Sequence, residues 1–237
     1  MNLLAKTYLI ASPILLLAYF AFYAKRTNYK HRELRVLFTT SIKGFLSAFL
    51  FGISVVSLIY LLCSFVGSSD FIIDNLTIEL LSYAIASSLM TGIIEEIVFR
   101  GIVFQSLRWV LTKRTPILVV IMVQAIFFSY LHASEIAQIN YFMMTFSTAI
   151  FLAVLAFRTN ALWIPMGFHF GWNFSQKIVH GIHLQRMPSL PGIATFEFNH
   201  SVISAYVMGM IAMASIVYLL FRQHKEQSQE IAVTSNA

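Results

Sequence analysis

The chain has little charge. Asp, Glu, Lys and Arg make up 11% of its 237 residues, against 58% hydrophobic ones. An ordinary soluble domain carries about 25% charged residues, so water is not the main solvent of this protein. Cysteine is nearly absent: Cys63 stands alone within an apolar run, which excludes an intramolecular disulfide and a cysteine metal cluster. The first apolar run, 8–23, lacks a small-residue cleavage site and ends in Lys25, Arg26, Lys30, Arg32 and Arg35, so it reads as an anchor rather than a removed signal peptide. The formal charge of +6 does not gather into one basic stripe with interleaved aromatics. Nucleic acid is therefore not an expected partner. There is no internal repeat and no separate soluble segment.

What the chain has instead is a series of apolar runs, and about 20 apolar residues cross a bilayer core as one helix. Spans are expected at 5–24, 43–66, 79–100, 116–132, 139–157, 161–181 and 201–221, with an amphipathic piece near 102–113 that either extends the third span or lies at the interface. Exposed backbone polar groups are untenable in lipid, so each run should be helical. The expected fold is all-α, a polytopic transmembrane bundle of seven to eight helices forming a single membrane domain over 1–237. Its core lies at about 79–181, and the polar end 226–237 reads as disordered. Loops rich in Lys and Arg alternate with loops that are not, which under the positive-inside rule puts the amino terminus outside and the carboxyl terminus in the cytoplasm. The loops at 68–74 and 180–200 then share the outer side.

Ionisable groups inside spans are costly, which makes them functional candidates. Three clusters qualify. In Glu95-Glu96-Ile97-Val98-Phe99-Arg100, Glu96 and Arg100 are one helical turn apart and can pair, while Glu95 points about 100° away. One carboxylate can then be held by Arg100 while the other faces a cavity. Phe128-Ser129-Tyr130-Leu131-His132 closes the next span, with Phe128 and His132 on one face. In Gly167-Phe168-His169-Phe170-Gly171-Trp172-Asn173, His169 and Asn173 project together, and Gly167 and Gly171 form a small-residue face for a neighbouring helix. Each cluster alone has a plainer reading, as a charged helix end, an interfacial histidine or a helix-packing polar pair. Together they supply a general base and oxyanion donors, which hydrolysis requires.

At these residues the sequence resembles the CAAX prenyl endopeptidase and bacteriocin-processing (CPBP, or Abi) family of intramembrane glutamic proteases. Glu95-Glu96-x-x-x-Arg100, Phe128-x-x-x-His132 and His169-x-x-x-Asn173 resemble its three motifs, in the family's order. The resemblance implies that Glu95 and His132 activate the water, that His169 and Asn173 steady the oxyanion, and that Glu96 and Arg100, with Phe128, are orienting or structural partners. It implies an endopeptidase acting on a membrane-associated protein or peptide near its carboxyl-terminal end, in the lipid bilayer and without a cofactor. Two other readings stay open: a zinc peptidase on the same fold, with Glu95, Glu96, His132 and His169 as ligands, and a non-enzymatic binding or immunity protein whose polar cluster only specifies packing. The short chain favours a bacterial plasma membrane over a eukaryotic endomembrane.

Depth sets a condition. If the third span ended at Arg100, Glu95 would lie about 8 Å inside one membrane face, and His132, 16 residues beyond Pro116, about 24 Å from it. They reach one depth only if the acidic helix continues past Arg100 and buries it, or if 102–113 bends back; burial of Arg100 is the expectation. Asn75-Leu76-Thr77 fits a glycosylation triplet and is assigned nothing, and His180 with His183 lacks a third metal ligand nearby.

Overall fold

The computed structural model describes residues 42–65, 69–71, 76–111, 115–133, 139–182, 190–191, 194–196, 209–210 and 213–215. In chain order the elements are α1 (Ile42–Phe65), β1 (Ser69–Phe71), α2 (Ile78–Glu96), a π-helical segment (Ile97–Val103), α3 (Phe104–Val110), α4 (Ile117–Ala133), α5 (Ile139–Thr159), α6 (Trp163–His180), β2 (Gly181–Ile182), β3 (Leu190–Pro191) and β4 (Ala194–Phe196). The helical class is as expected. The expected spans 5–24 and, for the most part, 201–221 lie outside the described residues, as does the tail 226–237; among the described residues are six α-helices, with further helical residues at 209–210 and 213–215. Three helical stretches among them are long and apolar enough to cross a membrane, Ile42–Leu61, Ile78–Arg108 and Phe142–Thr159, and Ile117–His132 is a shorter apolar helix.

The third span takes the course that the depth condition favoured. It does not stop at Arg100 but runs helically for 31 residues from Ile78 to Arg108, about 46 Å at 1.5 Å per residue. Thr77 starts it, accepting a hydrogen bond from the Leu80 backbone N–H at 3.1 Å, and Glu79 sits in the first turn where a negative charge suits the helix dipole. The Thr of the Asn75-Leu76-Thr77 triplet is thus a helix cap. The π-helical segment begins directly after Glu96, a form that occurs mostly as single insertions at functional sites.

Contacts divide the chain into two compact units. In the first, α1 and α2 both pack on α6. The α6–α1 seam is held by backbone proximity: a Cβ added at Gly167 would overlap the Phe45 carbonyl, one at Gly171 the Phe49 carbonyl, and one at Gly52 the Phe168 carbonyl. Without lipid exclusion to drive helices together, this close approach supplies the dispersion contacts that do. Rings close the seam, with Phe49 stacked on Phe170 at 4.4 Å and Phe51 against Phe168 at 5.7 Å. The outer faces of the first unit's helices show Leu46, Leu50, Leu58 and Ile85. On the other side of α6, the small buried residues Ala84, Ser88 and Gly92 of α2 leave room for its backbone. With neighbours on two sides, α6 can carry the polar residues that keep it from being apolar enough to stand in lipid alone. Two short antiparallel ladders, β1 with β4 and β2 with β3, lie where only irregular loops were expected. The first pairs Ser69–Phe71 with Ala194–Phe196.

Gly171→Ala is expected to destabilise the fold by about 1–3 kcal/mol, since the added methyl meets a backbone carbonyl that no rotamer change can move. Thermal unfolding in detergent measures it. Gly209→Ala, where an added Cβ meets nothing within 4 Å, is the control that should leave the midpoint unchanged.

The second unit contains α3, α4 and α5. Residues 151–156 of α5 are buried throughout, and Asn160, at φ 49°, ends the helix in the left-handed conformation that Asn tolerates. The face of α4 carrying Leu118, Val123, Ile126, Tyr130 and Leu131 is exposed, an apolar surface suited to lipid.

Candidate active site

Two buried charges of opposite sign occupy the end of α2 and the turn that follows. Glu96 and Arg100 are both fully buried, and Arg100 Nη1 donates to Glu96 Oε1 at 2.8 Å. A four-residue spacing makes the pair possible, and burial makes it necessary, because either charge alone in a low-dielectric interior is strongly unfavourable. Of the two courses the depth condition allowed, the helix takes the one that buries Arg100.

The pair does not stand by itself. The same Glu96 oxygen is hydrogen-bonded to Nδ1 of His169 at 2.8 Å, across 73 residues of sequence. The other face of the ring, Nε2, lies 3.7 Å from Glu95 Oε2. His169 is therefore held between two carboxylates, one sealed and one partly open: the Glu96 side chain is 0% exposed and that of Glu95 22%. Glu96 thus contacts the imidazole of His169 as well as the guanidinium of Arg100. Asn173 follows His169 by one turn on α6, on the same side, and is half-buried.

Gly92 positions this arrangement. A Cβ there would come within 3.1 Å of the Phe170 backbone nitrogen, so glycine lets α2 and α6 approach closely one turn before Glu96. Further along, Lys177 Nζ donates to Ser87 Oγ at 2.9 Å, a contact between α6 and α2 that the sequence reading missed. The signal was available: His169, Asn173 and Lys177 recur at four-residue spacing on one helical face.

His132 and Phe128 belong to the second unit. They share a face of α4 as expected, the rings stacked at 4.2 Å and His132 Nδ1 2.7 Å from the Phe128 carbonyl oxygen. That hydrogen bond fixes the ring and requires the proton on Nδ1, leaving Nε2 as the basic nitrogen. Among the described residues no three His, Cys, Asp or Glu side chains gather as a metal site would need.

Residues 77–175 match the family model described as type II CAAX prenyl endopeptidase Rce1-like. This segment is similar to that family. It begins at the Thr77 cap, contains all three motifs, and agrees with the CPBP resemblance of the sequence. No curated protein and no solved structure matches the chain. The matched family is described as one of CAAX prenyl endopeptidases, and the apolar helices among the matched residues fit an integral membrane protein.

Proposed function

We propose that this chain is an intramembrane glutamic endopeptidase that hydrolyses a peptide bond of a membrane-associated protein or peptide, close to the substrate's carboxyl-terminal end. The observation that supports it most is the imidazole of His169 set between Glu96 and Glu95, with Arg100 behind Glu96. In this reading Glu95, the accessible carboxylate, takes a proton from water as its oxygen adds to the scissile carbonyl. His132 assists at the water, as the motif resemblance implies. His169 and Asn173 donate to the oxyanion, and the Glu96 carboxylate on Nδ1 fixes the orientation of the His169 ring. Collapse breaks the C–N bond while Glu95 returns the proton to the leaving amine. No metal takes part. The bacterial plasma membrane, with the amino terminus outside, remains the proposed setting.

The test is a comparison of membrane-protein carboxyl termini by mass spectrometry in cells carrying the wild-type chain or Glu95→Gln. A set of termini that is shortened only with the wild type is expected, and it names both substrate and bond. Identical termini at equal protein levels favour a binding or immunity protein, whose polar cluster only specifies packing.

A further inference from the structure

We infer that Lys177 is a specificity residue for this site: its ammonium receives a carboxylate of the substrate about three residues beyond the bond that is cut. The inference rests on the protease reading above. Lys177 lies two residues past the matched segment and in none of the three motifs.

A lysine in a membrane helix is costly, and one near a helix end ordinarily relieves the cost by reaching out to the interface. Lys177 does the opposite. It is half-buried and turns across to α2, where Nζ donates to Ser87 Oγ at 2.9 Å. Ser87 is held in turn, donating to the Tyr83 carbonyl oxygen at 2.6 Å. An ammonium has three N–H donors and a full charge, and a serine hydroxyl meets one donor and none of the charge. The Glu95 carboxylate acts on the ammonium electrostatically, yet it sits at the other end of the same strip.

The length of the strip is set twice over. Ser87 to Glu95 on α2 and His169 to Lys177 on α6 are each eight residues, about 12 Å at 1.5 Å per residue. The two rows run antiparallel, His169 against the glutamates and Lys177 against Ser87, so acid and cation mark opposite ends. An extended peptide advances about 3.3–3.6 Å per residue. A carbonyl held at Glu95 and His169 therefore places a group three residues further along within reach of Lys177. The charges fix direction, because Glu95 repels a carboxylate at the wrong end and Lys177 attracts one at the right end.

The carboxylate has two possible sources, the substrate's free carboxyl terminus or an acidic side chain at that position. Binding of labelled, non-hydrolysable peptides to the purified full chain in lipid nanodiscs separates them. The probes share a prenylated cysteine, a reduced bond after it and three further residues. They end in a free acid, in an amide, or in an amide with aspartate as the third residue. Wild type is expected to bind the free acid about 10-fold more tightly than the plain amide, the worth of one charge-assisted contact. Recovery by the aspartate probe assigns the contact to a side-chain carboxylate as well. Lys177→Gln should bind acid and amide alike, Lys177→Met giving the same comparison if the Gln variant does not fold, and Lys177→Arg should keep the preference. Equal binding of acid and amide by wild type, no measurable binding of the free acid, or a preference that survives Lys177→Gln overturns the inference. No bond is cut in these experiments, so the protease reading fails separately, in the comparison of carboxyl termini.

Discussion

Arg100→Met is expected to destabilise the protein by about 3–5 kcal/mol, because it leaves the Glu96 carboxylate buried with its guanidinium partner gone. Both side chains are fully buried, so water cannot take the place of Arg100. For a chain of this size the loss corresponds to a drop of roughly 6–20 °C in melting midpoint, measured by thermal unfolding in detergent. Removing both charges separates structure from chemistry. Glu96→Gln with Arg100→Met should recover most of the lost stability, since a buried ion pair is often replaceable by neutral groups of similar volume. Cleavage should not recover, because His169 Nδ1 then loses the carboxylate that fixes its ring. A single Arg100→Met variant that melts within about 1 kcal/mol of wild type would mean that Arg100 is a surface residue reaching water.

Much of this site is legible in the sequence, and the legible part is whatever depends on one helix at a time. The Glu96–Arg100 pair follows from a four-residue spacing, as do the shared face of Phe128 and His132 and the close-approach face at Gly167 and Gly171. What one helix cannot tell is how it is rotated against another. The bond from His169 to Glu96 spans 73 residues, and the choice of Glu96 over Glu95 as its nearer partner depends on the registry that Gly92 and Phe170 set between α2 and α6. A charge after an apolar run can read as the end of a span, yet the depth condition already favoured a helix that continues past Arg100, as it does to Arg108. Lys177 is overlooked because a lysine near the end of a span fits snorkelling, and its bond to Ser87 is again a contact between helices. The ladders at Ser69–Phe71 and Ala194–Phe196 are too short to show a two-residue period.

The chemical half of the account stands on Glu95. It is the carboxylate left partly open, and its Oε2 lies 3.7 Å from His169 Nε2. Replacing it with glutamine keeps size and hydrogen bonding and removes only the proton acceptor, so the fold should be spared and the reaction lost. Loss of a general base lowers rates by about 100- to 10,000-fold, and the melting midpoint should move by less than the Arg100→Met shift. The most direct measurement is the initial rate of cleavage of a prenylated peptide by the purified chain in nanodiscs, for wild type and Glu95→Gln, each with a strong metal chelator present. Wild type should cleave undiminished by the chelator while Glu95→Gln, equally folded, falls by about 1,000-fold. A Glu95→Gln variant that cleaves at the wild-type rate, or a wild type silenced by the chelator, would contradict the account.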